Sequence, residues 1–255
     1  MIRLLWLDYL AMLRERKTWL GAAMMVYAML AIPIILERPP EHVQRAMTTW
    51  FGASDRFVLF MYVWLDLAMN KIMAFLPVVM ANSLVIRERD SRVLALLASK
   101  PLSLSRYFGV RTASACSVVA TLHVGTQLAG AVWFSMRVPG FRVAPFLGAM
   151  SLHLFAALFA TALAAAIGAW VKHRAASALI GFAVLNGLVG LALVGFYQPA
   201  WHRISMLNPF TLGSEALGHL ERLRPSVLVG PMIALAGLTA TTIAIGARGM
   251  RRVEA

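Results

Sequence analysis

Six apolar runs, each about as long as a bilayer-crossing helix needs to be, constrain this chain more than any other feature. They fall at about 18–36, 67–86, 108–136, 144–171, 175–197 and 227–247. A helix rises 1.5 Å per residue, so about 20 apolar residues span the roughly 30 Å hydrocarbon core. A soluble domain could not hide six such surfaces. The chain is 60% hydrophobic and 14% charged, whereas soluble domains average roughly 45–50% and about 25%. The expected fold is an all-α polytopic membrane protein, read as a single transmembrane domain over residues 1–255. The third and fourth runs exceed the core thickness and are expected to tilt or project into water.

Charge sets the expected topology. The net charge is +13, but the basic residues flank apolar runs instead of forming a stripe with aromatics. That pattern fits loop charges facing anionic lipid and argues against nucleic acid as a partner. With the N-terminus inside, fifteen of the 24 Lys and Arg residues fall on the cytoplasmic side. Both termini are therefore expected in the cytoplasm. Residues 1–17 carry charge at both ends and no small-residue cleavage site follows, so no cleaved leader is expected. Ile2, Leu5, Trp6, Tyr9, Leu10 and Leu13 share one helical face, which predicts an interfacial helix before the first span. Residues 37–66 are aromatic-rich, and read either as an outer interfacial helix or as an outward extension of the second span. Residues 198–226, with a turn at Asn208-Pro209, predict a short re-entrant or surface helical pair.

Several kinds of chemistry are missing. There is no GxxxxGK[ST] phosphate loop, no HExxH and no Cys/His cluster. The lone Cys116 and the fifteen Met residues read as packing, and no metal site is expected. No span carries paired catalytic groups, so the chain is not expected to be an enzyme. Polar residues within the spans are candidates for lining a pathway, or equally for helix–helix hydrogen bonds. They are Asp66, Asn70, His123, Gln127 and Asn186. His123 and His153 lie on adjacent spans and could approach each other. Asp66, Asn70 and Lys71 are expected near the outer end, where an interfacial anchor is the plainer role, and no acid is expected at mid-membrane. Ala156, Ala160, Ala164 and Gly168, with Ala157, Thr161, Ala165 and Ala169 beside them, predict close helix packing, within the subunit or across a dimer.

The most charged stretch is IRERDSRVLALLASKPLSLSRYFGVR, residues 86–111, between the second and third runs. Residues 93–99 are expected to be helical, Pro101 to break that helix, and Ser103 or Ser105 to cap the next. A Leu ridge ringed by Arg suits docking of a protein partner.

This stretch resembles the cytoplasmic signature of the ABC-2 type permeases, roughly E-R-E-R-G-T-L-E-x-L-L-S-T-P-V-S-R with a later Gly-Lys. Glu88, Arg89 and Asp90 match its opening, and Leu94, Leu96 and Leu97 its Leu run. Ser99, Pro101 and Ser103 match its turn, and Gly109 the later glycine. Arg92-Val93 stands where Gly-Thr is usual, and Val110-Arg111 replaces the Lys. The resemblance covers essentially the whole chain, through the N-terminal helix, six spans and an LNPF segment before the last span. It implies a type V exporter-like architecture in a bacterial inner membrane, with residues 87–107 as a cytoplasmic coupling hairpin. It implies two copies of a separate ATPase that binds ATP and Mg, a second permease copy, and room for a periplasmic or outer partner. Glu88, Arg89, Asp90 and Arg92 would make polar contacts with the ATPase. Leu94, Leu96, Leu97 and Leu102 would fill its groove, with Ser99, Pro101 and Ser103 shaping the turn. Glu88 would also brace the N-terminal helix through Arg14 or Arg16. The short six-span form resembles permeases that serve nitrous-oxide reductase maturation, gliding machinery or antibiotic export. The alternative is a membrane assembly or maturation factor without ATP coupling.

Overall fold

A computed structural model describes residues 2–37, 49, 55–91 and 103–254, excluding the side chains of a few positions near 196–202 and of 251–254. The described residues are almost entirely helical, and none of them lies in a strand. Helix α1 is Ile2–Leu13, and α2 is Arg16–Glu37. Helix α3 runs Arg56–Asp90, with a π-helical stretch over Tyr62–Met69 and a turn at Asn82–Ser83. Then come α4 (Leu104–Arg137), α5 (Val143–Trp170) and α6 (Arg174–Tyr197). Two short helices follow, α7 (His202–Ser205) and α8 (Pro209–Ser214), and α9 (Pro225–Glu254) completes the set. Six of these, α2 to α6 and α9, are long and apolar enough to cross a bilayer. The protein is accordingly a multi-pass helical membrane protein.

The chain breaks between α1 and α2 at Arg14–Glu15, where Thr18 Oγ1 donates to the Met12 carbonyl at 2.6 Å. Helix α1 lies against the start of α4, with Tyr9 hydroxyl on Thr121 at 3.0 Å and Ser114 donating to the Leu5 carbonyl. The second crossing begins at Arg56, well before the 67 read from hydropathy. Asp55 is its N-cap, accepting from the Phe57 amide at 2.8 Å and pairing with Arg142 at 2.7 Å. The aromatic stretch that follows is buried: Phe57, Phe60 and Trp64 pack with Phe134, Phe141 and Phe146. The outward extension of the second span is thus what residues 56–66 form.

Helices α3 and α5 form the centre of the bundle, and α2, α6 and α9 its periphery. The small-residue face of α5 explains that placement. A Cβ on Gly168 would collide with the Asn82 carbonyl, and one on Gly213 would meet Ala156 Cβ at 2.6 Å. Side chains this small let the α3 and α8 backbones approach closely. The close packing predicted for this face occurs within the subunit.

The bundle has two charged ends. At one, Glu37 pairs with Arg137 and Asp55 with Arg142. At the other lie Asp8, Glu88 and Arg111, joined by Ser105 donating to Ala247 and Lys17 donating to Met80. The start of α2 and the end of α9 lie at this second end.

Candidate functional site

Two polar constellations stand out. The first flanks residues 92–102. Glu88 Oε1 accepts from Tyr107 hydroxyl at 2.7 Å and pairs with Arg111 Nη2 at 2.9 Å. Arg111 Nη1 pairs with Asp8. Arg89 Nη2 donates to the Ala169 carbonyl at 3.2 Å, on the last turn of α5. One cation therefore joins α1, the end of α3 and the start of α4. All three partners are mostly withdrawn from water, with side-chain exposures of 20%, 9% and 12% for Arg111, Asp8 and Glu88. The brace to the N-terminal helix runs through Arg111 and Asp8, which corrects the expected link through Arg14 or Arg16. Arg111 wins because α4 packs along α1, where Ser114 also donates to the Leu5 carbonyl. Ser103 caps α4, its hydroxyl accepting from the Arg106 amide at 3.4 Å. Asp90 is exposed at the tip of α3. Arg92, Leu94, Leu96, Leu97, Ser99, Pro101 and Leu102 lie outside the described residues.

The second constellation lies within the bundle. Asn70 Nδ2 donates to Asp66 Oδ1 at 3.0 Å and to Ser214 Oγ at 3.2 Å. With its amide nitrogen so engaged, Asn70 Oδ1 is an acceptor, and His153 Nε2 donates to it at 3.1 Å. His123 stacks on His153 at 5.3 Å and gives its own Nε2 proton to the Met150 carbonyl at 3.1 Å. Beside them Trp64 Nε1 donates to Gln127 Oε1 at 3.1 Å, and Gln127 Nε2 reaches Met69 Sδ at 3.7 Å. Asp66 Oδ2, His123 Nδ1 and His153 Nδ1 are buried with no hydrogen-bond partner. All three are acceptors, so the cluster is short of protons and has room chemically for donors. Among the described residues, no group of three or more His, Cys, Asp or Glu is placed to hold a metal ion.

The depth of this cluster corrects the expected position of Asp66 and Asn70. Asp66 lies about ten residues into α3, and His153 about ten into α5, so each is about 15 Å from the far charged end. The hydropathy boundary at 67 sets them at the interface instead. The α3 helix in fact continues outward through a largely apolar and aromatic stretch to its Asp55 cap. An acid therefore does lie well inside the crossing, buried in the bundle. The π-helical stretch spans it, a feature often found at functional positions because it redirects side chains.

Of the polar residues singled out in the sequence, Asp66, Asn70 and His123 come together, with Gln127 alongside. Asn186 does not join them. It is exposed on α6, its amide donating to the Phe182 carbonyl at 2.9 Å. His153 and Ser214 complete the chain, and sequence reasoning does not place Ser214. Only the packing of α8 against α5, permitted by Gly213, brings it there. No protein-family model matches the chain, and no curated protein matches it.

Proposed function

We propose that this protein is the membrane-spanning subunit of an ATP-driven transporter of the ABC-2 type, acting as an exporter. The observation that carries the reading is the placement of the signature-like stretch. Its flanks, Glu88–Asp90 and Ser103–Arg111, are held at one end of a six-crossing bundle by an ion-paired brace to α1, α3 and α4. Force on the intervening segment reaches three elements at once. Residues 87–107 are the coupling hairpin, seated in a groove of a separate ATPase that supplies ATP and Mg. The Leu ridge of Leu94, Leu96, Leu97 and Leu102 fills that groove, and Glu88, Arg89, Asp90 and Arg92 border it. Nucleotide binding shifts the permease because the hairpin contacts differ between its two states.

The excess of Lys and Arg at the hairpin end supports a cytoplasmic location for it and for both termini, with α1 in the membrane interface. The peripheral, apolar faces of α2 and α6 support pairing with a second copy. The membrane is a bacterial inner membrane.

Co-purification tests the proposal. The tagged chain, drawn from its own membranes, is expected to retain a P-loop ATPase. Leu97→Asp combined with Arg92→Glu is expected to release it while the permease remains folded. An ATPase that stays bound to the double variant overturns the hairpin assignment, and none bound to the natural chain favours the assembly-factor reading.

A further inference from the structure

The brace between α1, α3 and α4 has more acid in it than base. Arg111 gives Nη1 to Asp8 and Nη2 to Glu88, so two carboxylates share one guanidinium. The prongs of a guanidinium are fixed side by side, which gathers both acids into one small region. Each acid also has an oxygen, Asp8 Oδ2 and Glu88 Oε2, that is buried without a hydrogen-bond partner. The Tyr107 hydroxyl donates to the other Glu88 oxygen at 2.7 Å, but it is neutral. With both acids ionised, two negative charges face one positive charge in a region that admits little water.

The neighbouring charges do not supply the missing cation. On α1 and at its junction with α2, Arg3, Arg14 and Arg16 are exposed, and Lys17 pairs with Glu15 at 2.9 Å. On α3, Arg87 acts on Glu88 electrostatically, but from the exposed side of the helix and without ion-pair contact, where water screens it. Arg89 is turned to the Ala169 carbonyl, and Asp90 is exposed. On α4, Arg106 is exposed. Beyond the end of α5 and near the end of α9, Lys172, His173 and Arg248 are exposed as well. Among the described residues, Arg111 is the one cation in ion-pair contact with Asp8 or Glu88.

We propose that Asp8 and Glu88 hold one proton between them, and that its loss at higher pH loosens the brace. The step is a simple protonation, with the proton taken from water and returned to it. With the proton bound, one carboxylate is matched to one guanidinium. Without it, two like charges repel across Arg111, and an excess charge is left with little water around it. The titration belongs to the pair and not to either acid alone. Loosening frees α1 from α3 and α4, on both sides of residues 92–102. That this regulates an ATPase rests on the transporter reading; the shared proton does not.

The folded chain thus holds a proton at a pH where exposed carboxyls, ionising near about pH 4, have lost theirs. Stability is expected to be greatest on the acid side and to fall as pH rises through the titration of the pair.

The test uses the full chain, purified without any ATPase and reconstituted in phosphatidylcholine vesicles. Infrared difference spectra between about pH 5 and about pH 8 read the carbonyl stretch of protonated carboxyls. The natural chain is expected to show such a signal and to lose it as pH rises. Glu88→Gln should abolish it, because Asp8 is then ionised and matched to Arg111. Asp66→Asn, which removes the acid buried in the bundle, should leave it in place. Tyr107→Phe should move its midpoint to higher pH, since the hydroxyl favours the ionised form of Glu88. The thermal midpoint should fall over the same range in the natural chain and stay level in Glu88→Gln. Should Glu88→Gln fail to fold, Asp8→Asn is read in the same way. No protonated carboxyl in this range, or one indifferent to both the Glu88 and Asp8 changes, overturns the shared proton. A thermal midpoint with the same pH slope in Glu88→Gln as in the natural chain overturns the loosening. Each of these results leaves the ATPase assignment to its own test.

Discussion

At the scale of single residues, Arg111 carries the most structural consequence. It faces two carboxylates, Asp8 and Glu88, in a pocket that admits little water. Removing one member of a buried ionic network leaves uncompensated charge, which typically costs about 3–5 kcal/mol. Arg111→Met is therefore expected to lower stability by about 3 kcal/mol, read as a marked fall in the thermal midpoint of the detergent-purified protein. Adding Glu88→Gln should recover part of the loss, since the neutral amide can still meet the Tyr107 hydroxyl and one charge is gone. A single Arg111→Met variant as stable as the natural protein would show that the brace is not formed. The sequence made the charges of this site visible, but not their pairing. Arg14 and Arg16 are nearer Asp8 in the chain, and only the packing of α1 along α4 selects Arg111. In the buried polar chain, the Asp66–Asn70 bond was legible as an i, i+4 pair. The His153 and Ser214 contacts were not, because they depend on how α5 and α8 meet α3.

At the scale of elements, the α3–α5 contact sets the bundle. Gly168 abuts the backbone of α3 at Asn82, where the only way to admit a methyl group is to separate the helices. Overpacking of this kind costs about 1–3 kcal/mol or more. Gly168→Ala is expected to fall in that range by thermal unfolding. Gly187→Ala, facing open space on α6, should be neutral or slightly stabilising, by up to about 1 kcal/mol from helix propensity. Equal effects at the two positions would contradict the packing described. The four-residue spacing of small side chains in α5 announced this contact, because only close approach gives such a stripe a use. The start of α3 was harder to read. Asp66 lowers the local hydropathy, so a hydropathy count starts the apolar run directly after it, at 67. The signal that would have found the true start is local, a capping Asp55 before an aromatic helical repeat. A buried carboxylate held by Asn70 does not end a helix, although it interrupts a hydropathy count.

At the scale of the whole molecule, six crossings place the two ends of the described chain on the same side. Charge asymmetry favours the cytoplasm for that side. A reporter fused after α9, active only when cytoplasmic, is expected to be active; a periplasm-only reporter at the same place should be silent. The reverse pattern would invert the topology and put residues 87–107 out of reach of a cytoplasmic ATPase, against the proposed function. The six crossings themselves were legible because about 20 apolar residues have few alternatives to spanning a bilayer. The proposed function rests on the patterned stretch between the second and third crossings. The most direct test is therefore coupled hydrolysis. The chain and any ATPase that co-purifies with it, reconstituted together in vesicles, are compared with the Leu97→Asp, Arg92→Glu variant for ATP turnover. The reading predicts that turnover falls to that of the ATPase alone, with nucleotide affinity of the ATPase unchanged. Full turnover with the double variant would contradict it.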